Sequence, residues 1–94
     1  MYFEWDEEKN ERNISKHGID FTDTALLFLD CDRIEEIDDR KDYGEIRYIT
    51  IGMVSEIMLC VVYTIRESRH RIISARRANK NERETYLYNR QVTC

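Results

Sequence analysis

Ninety-four residues without a proline carry 15 Lys+Arg against 19 Asp+Glu, a formal net charge of -4. A chain of this length makes one domain with a small core, and 41% hydrophobic and 36% charged residues exclude collagen-like, Pro/Gly-rich and disordered classes. Taken whole, a pI near 5.2 also argues against nucleic acid as a partner, because phosphate binding needs cationic surface.

The N-terminal stretch from Met1 to Glu8 is acidic and lacks the basic region and cleavage site of a secretory signal. The longest apolar run, Ile57 to Tyr63, is far short of the roughly 20 residues that cross a bilayer, so no membrane partner and a cytoplasmic location are expected. Phe3 and Trp5 could each stack a base, but in so small a chain they read as anchors of the N-terminal segment in the core.

From Asp6 to His17 the spacing predicts a first helix, with Asp6 as N-cap and Gly18 as the left-handed C-terminal stop. A second short helix follows, capped by Asp20 or Thr22, with Phe21, Ala25, Phe28 and Leu29 on one face. Cys31 to Ile37 is ambiguous, since Ile34 and Ile37 do not alternate, and counts as a first strand; residues 38–44 form a polar loop. Three strands are expected next, over 46–54, 57–65 and 70–76, joined by short turns at Ser55-Glu56 and Arg66 to Arg69. Asn79 and Glu82 have capping-box spacing and open a terminal helix from Lys80 to Gln91. Two N-terminal helices, a four-stranded antiparallel sheet and a C-terminal helix make an α+β domain spanning residues 1–94, with the helices packed on one face of the sheet.

Cysteines 31, 60 and 94 are odd in number, widely spaced and without a C-x-x-C pair, which disfavours a disulfide framework and a zinc site. Cys60 reads as a core residue, and Cys94 as open to intermolecular oxidation. His17 and His70 are too few to imply a metal, and with no Gly-rich phosphate loop, no cofactor is expected.

The net charge hides a division. Residues 1–45 hold 15 acids and 6 bases, a net of -9, whereas residues 46–94 hold 4 acids and 9 bases, a net of +5. Arg66, Arg69, Arg71, Arg76, Arg77, Lys80 and Arg83 lie within eighteen residues that contain only Glu67 and Glu82 as acids. Such a cluster fits a polyanion-binding surface, and it equally fits a basic face paired with the protein's own acidic half. Strand alternation predicts Arg71 and Arg77 on one face and Arg76 on the other.

No standard hydrolase constellation is present. RNA cleavage is compatible with that absence, because the 2′-hydroxyl is an internal nucleophile and the protein needs to orient it, stabilise charge and move a proton. His17, beside Lys16, is a residue type suited to proton transfer near neutral pH, although a histidine before a helix-stop glycine is also an ordinary packing or capping residue.

Phe3-Glu4-Trp5-Asp6, Lys9, Asn13, Lys16-His17-Gly18-Ile19, Phe21 and Ala25, then Gly44-Glu45, Arg47, Ile51-Gly52, Tyr63-Thr64, Arg71-Ile72-Ile73-Ser74-Ala75-Arg76-Arg77-Ala78, Glu82-Arg83 and Tyr86, resemble the pattern of the BrnT family of bacterial toxins. The resemblance implies a RelE-like ribonuclease toxin of a type II toxin-antitoxin pair. It also implies a cognate ribbon-helix-helix antitoxin of the BrnA kind that blocks the toxin and carries it to operator DNA, and growth arrest by RNA cleavage and inhibited translation. By position Lys16, His17, Arg71, Ser74 and Arg76 match the family's polar signature. Arg71 and Arg76 would then contact the scissile phosphate or its neighbours, Ser74 would orient a phosphate oxygen, and His17 or Lys16 would donate a proton or stabilise charge. Arg66, Arg77, Lys80 and Arg83 would line the approach of RNA. The rival from another class is a binding module that serves only as co-repressor with its antitoxin.

Overall fold

The computed structural model describes the backbone of residues 1–93 and the side chains of residues 1–90; Cys94, with its expected oxidation, lies outside them. The first element is a strand that the sequence reading lacks, β1 (Tyr2–Glu4). Helix α1 (Glu7–His17) follows, capped by the Asp6 carboxylate, which accepts from the Glu8 N–H at 2.9 Å and the Lys9 N–H at 3.3 Å. Gly18 ends it at φ +71°, where a side chain would be strained.

The second helix is only one turn long. Helix α2 (Phe21–Thr24) tightens at once into a 3₁₀ helix over Ala25–Leu29. The buried residues Phe21, Thr24 and Leu27 are therefore three apart, the period of the tighter helix, and Leu29, expected on the inner face, is 81% exposed.

Four further strands follow: β2 (Ile34–Asp38), β3 (Arg47–Val54), β4 (Ile57–Arg66) and β5 (Arg69–Arg77), before the terminal helix α3 (Lys80–Thr93). The sheet order is β1-β5-β4-β3-β2. Because β1 runs parallel to β5, with Phe3 opposite His70, the sheet is five-stranded and mixed instead of four-stranded and antiparallel. A three-residue strand is too short to show alternation, so only its packing reveals it. Phe3 and Trp5 do anchor this segment: Phe3 lies 5.1 Å from the Phe28 ring and Trp5 meets Phe21 edge-on at 6.2 Å.

Helices cover both faces of the sheet, not one. On the first face, Phe21 and Leu27 pack on Leu59, Val61, Ile72 and Ala75. On the second, Tyr86 of α3 and Ala78 pack on Ile51 and Cys60. Where β1 stops, α1 takes over the edge of β5: the buried Asn13 accepts the Ala75 N–H at 3.1 Å and donates to the Ile19 carbonyl at 2.9 Å. Gly52 is held to hydrogen by close packing, since a Cβ there would sit 3.1 Å from Leu27 Cγ and from Arg33 Cβ.

The β4–β5 hairpin closes through Glu67 and Ser68 at φ +50° and +67°, the left-handed pair of a type I′ turn without the Asn-Gly that favours it. Replacing the pair with Asn-Gly is expected to stabilise the fold by about 1 kcal/mol, measurable by urea denaturation.

Candidate functional site

The pairing of β4 with β5 contains an irregularity that decides which arginines share a face. Val62 lies opposite Ser74, but Tyr63 lies opposite Ile72, so Ile73 is an extra residue on β5, a β-bulge. One inserted residue reverses the alternation beyond it. Arg71, opposite Thr64, Ser74, opposite Val62, and Arg76, opposite Cys60, therefore share the face on which α3 packs. Arg77, opposite Leu59, is on the other face, so the expected grouping of Arg71 with Arg77 against Arg76 is corrected by the bulge.

On that shared face α3 covers only one end of the sheet, and beside it lies an open cleft of about 650 Å³. Ile49, Ile51, Cys60, Val62 and Ser74 form its floor, Asn81, Glu82 and Thr85 of α3 one wall, and Glu36 and Arg40 contribute from β2 and the loop after it. Arg76 stands between floor and helix. Its guanidinium donates to both Glu82 oxygens through its two terminal nitrogens, at 2.8 and 2.9 Å, a fork-to-fork pair.

Glu82 has two duties. Its Oε1 also accepts the Asn79 N–H at 2.8 Å while Asn79 Oδ1 accepts the Glu82 N–H at 2.8 Å, the reciprocal capping box the sequence predicts. The Arg76 hydrogen bonds outweigh burial and hold the Glu82 carboxyl down to about 2. Burial pushes the neighbouring Cys60 thiol up to about 12, so it is a neutral floor residue. A carboxyl depressed in the folded state stabilises above its unfolded value of about 4.5, and loses that contribution as pH falls towards 2. Glu82→Gln is accordingly expected to flatten the dependence of the melting temperature on pH between about 4.5 and 2.

Arg40 and Glu36 are among the cleft residues that the sequence did not single out. Arg40 belongs to a loop read only as polar; it is fixed by the buried Asp38, whose oxygens accept from Nε at 2.8 Å and Nη2 at 2.9 Å, and which also accepts from the Tyr43 hydroxyl at 3.0 Å. Glu36 belongs to the strand whose period was ambiguous.

The remaining expected residues lie elsewhere. Arg71 pairs with Glu4 at 3.3 Å and Arg66 with Glu45 at 2.8 Å, so part of the basic cluster is paired with the acidic half. Arg83 donates to the Ala78 carbonyl at 2.7 Å at the start of α3, and Lys80 is exposed at the same helix end. Lys16 and His17 end α1, one turn beyond the Asn13 that bonds β5, and neither lines the cleft. Arg77 lines a second hollow with Gly18, Ile19 and Asp20. The structure thus brings Ser74 and Arg76 together in the cleft with Arg71 farther along the same face.

A family model describing the ribonuclease toxin BrnT of type II toxin-antitoxin systems matches residues 5–82. The chain belongs to the BrnT family. The match begins at Trp5 and ends at Glu82, so it includes α1, strands β2 to β5 with the bulge, and the carboxylate that holds Arg76. A toxin of such a pair has an antitoxin as its partner. Comparison with curated proteins gave no match. Among the described residues of this BrnT toxin, no helix is long and apolar enough to cross a membrane, and no group of three or more His, Cys, Asp or Glu could hold a metal ion.

Proposed function

We propose that this chain is a metal-independent endoribonuclease with a RelE-like fold, formed as one domain over residues 1–94, and that it acts in the cytoplasm to arrest translation. The observation that carries the reading is the bulge at Ile73, which aligns Arg71, Ser74 and Arg76 along one face of β5 beside an open cleft, in a chain of a ribonuclease toxin family. The 2′-hydroxyl gives up its proton to water and adds to the adjacent phosphorus, the P–O5′ bond breaks to leave a 2′,3′-cyclic phosphate and a 5′-hydroxyl, and the protein stabilises the phosphorane between them. Arg76 and Arg71 supply permanently charged, forked donors for its oxygens, and Ser74 between them offers a hydroxyl to a third. Phosphate displaces Glu82 from Arg76 and Glu4 from Arg71 as it enters. Arg66, on β4 at the turn into β5, extends the track at one end, while Arg77, Lys80 and Arg83 attract the strand towards the other end, where α3 begins. Lys16 and His17 reach the RNA from the β5 edge, where either donates the proton to the leaving oxygen or stabilises its charge.

The partner we assign is a BrnA-like ribbon-helix-helix antitoxin, which blocks the arginine face and links the toxin to operator DNA. One observation favours the second reading, a non-catalytic co-repressor: Arg66, Arg71 and Arg76 each already hold a carboxylate. Expression of the chain alone and together with the antitoxin separates the two. Growth arrest relieved by co-expression, with RNA cut by purified protein in EDTA, is the expected result; normal growth with folded protein present and intact RNA would leave the co-repressor reading.

A further inference from the structure

The charge of the cleft does not suit phosphate throughout. Glu35, Glu36 and Glu82 line it against Arg40 and Arg76, and both arginines already hold carboxylates. Beneath this rim the floor is aliphatic. Such a lining suits an uncharged, flat group that carries hydrogen-bond donors, and RNA supplies one: the unpaired base of a nucleotide whose phosphate lies on β5.

The carboxylates are not equivalent. Glu35 is occupied by Arg33 and by the Tyr63 hydroxyl, and Glu82 by Arg76 in the free protein and by the Asn79 N–H of the cap, which remains when phosphate takes Arg76. Among the described residues Glu36 alone of the three has no hydrogen-bond or ion-pair partner. The register places it opposite Ile49, on the same face as Ser74 and Arg76. From β5 to β2 is three strand spacings, about 14 Å, a distance that phosphate, ribose and a purine laid across the floor can bridge. A carboxylate only accepts hydrogen bonds, and the guanine Watson–Crick edge offers two parallel donors, N1–H and the N2 amine. Uracil offers one donor, N3–H, flanked by two acceptors that a carboxylate repels, and cytosine and adenine each offer only an exocyclic amine beside a ring-nitrogen acceptor.

We infer that this cleft is a guanine-selective base pocket, with Ile49, Ile51 and Val62 as its floor and Glu36 as its specificity-determining residue. The inference rests on the ribonuclease reading above and adds the identity of one base beside the cut. Asn81, on the helix wall of the cleft, carries an amide with both a donor and an acceptor for the remaining edge of the base.

The test is to map the RNA ends left by wild type, Glu36→Gln and the surface control Glu11→Gln, with fragments sequenced and total cleavage measured in parallel. Wild type and Glu11→Gln are expected to show guanine at one fixed position relative to the cut, with inosine in its place cut roughly 10-fold slower. Glu36→Gln is expected to lose roughly 10- to 100-fold of the preference for guanine over the other bases while still cutting RNA. Glu36 is exposed at a sheet edge, so the variant should fold, which circular dichroism checks. Cleavage without base preference, or a guanine preference that survives Glu36→Gln, overturns the pocket and leaves the ribonuclease reading standing. Intact RNA with every folded variant overturns that reading, and the pocket with it.

Discussion

Arg76→Ala is expected to lower kcat/KM for RNA about 100- to 1,000-fold, the usual loss when one preorganised donor to a transition-state oxyanion is removed. The reason is geometric: the bulge at Ile73 turns Arg76 to the same face as Ser74 and Arg71, and its side chain lies at the mouth of the cleft, 41% exposed. Arg76→Lys should restore little, because a point charge cannot replace a planar fork on two phosphate oxygens. Stability should change far less than activity, since a partly exposed ion pair contributes modestly to folding. Steady-state cleavage of a labelled RNA, with a thermal melt of each variant, separates the two effects. Activity equal to wild type would remove Arg76 from the site.

Asp30→Ala is expected to cost about 3 kcal/mol of stability, read by urea denaturation. Asp30 precedes β2, and its Oδ2 accepts both the Tyr86 hydroxyl at 2.7 Å and the Met53 N–H at 2.8 Å, while Oδ1 accepts the Asp32 N–H at 2.9 Å. Tyr86 is 1% exposed, so truncating Asp30 leaves a buried hydroxyl and a strand-end amide without their acceptor. Tyr86→Phe removes the donor along with the bond and should cost nearer 1 kcal/mol. Because this contact pins α3 across the sheet, Asp30→Ala should also loosen the helical wall of the cleft. A loss below about 1 kcal/mol would mean that α3 is held by its apolar contacts alone.

What the sequence disclosed was mostly local. Asp6, Gly18 and the Asn79–Glu82 box are caps whose chemistry acts within a few residues, and each stands where the spacing predicts. The hairpins around β4 were legible because β-branched runs alternate between short turns. The strand over Ile34–Asp38 was obscure for a physical reason. It is a sheet edge, and Ile34 and Ile37, three apart, face opposite sides, so no apolar alternation exists to be read.

The site was less legible than the fold. An Ile-Ile-Ser sequence carries no mark of a bulge, which arises only when β4 and β5 pair out of step, so alternation put Arg76 on the wrong face relative to Arg71. Parallel pairing of β1 depends on residues more than sixty positions away in the chain, and Arg40 acquires its place only through Asp38 and Tyr43. The division of charge between halves was legible, yet its outcome required the fold: Glu4 and Glu45 of the acidic half sit on Arg71 and Arg66, and phosphate must compete with them.

The central claim is that RNA lies on the face of the sheet shared by Arg71, Ser74 and Arg76. Methyl-labelled protein titrated with a short, non-cleavable single-stranded RNA and followed by NMR tests it most directly. The expected result is shifts of the Ile49, Ile51 and Val62 methyls on the cleft floor, with Leu26, Val54 and Ile57 around the hollow beside Arg77 unmoved. Shifts confined to Leu26, Val54 and Ile57, with the cleft floor silent, would place RNA on the opposite face and contradict the account.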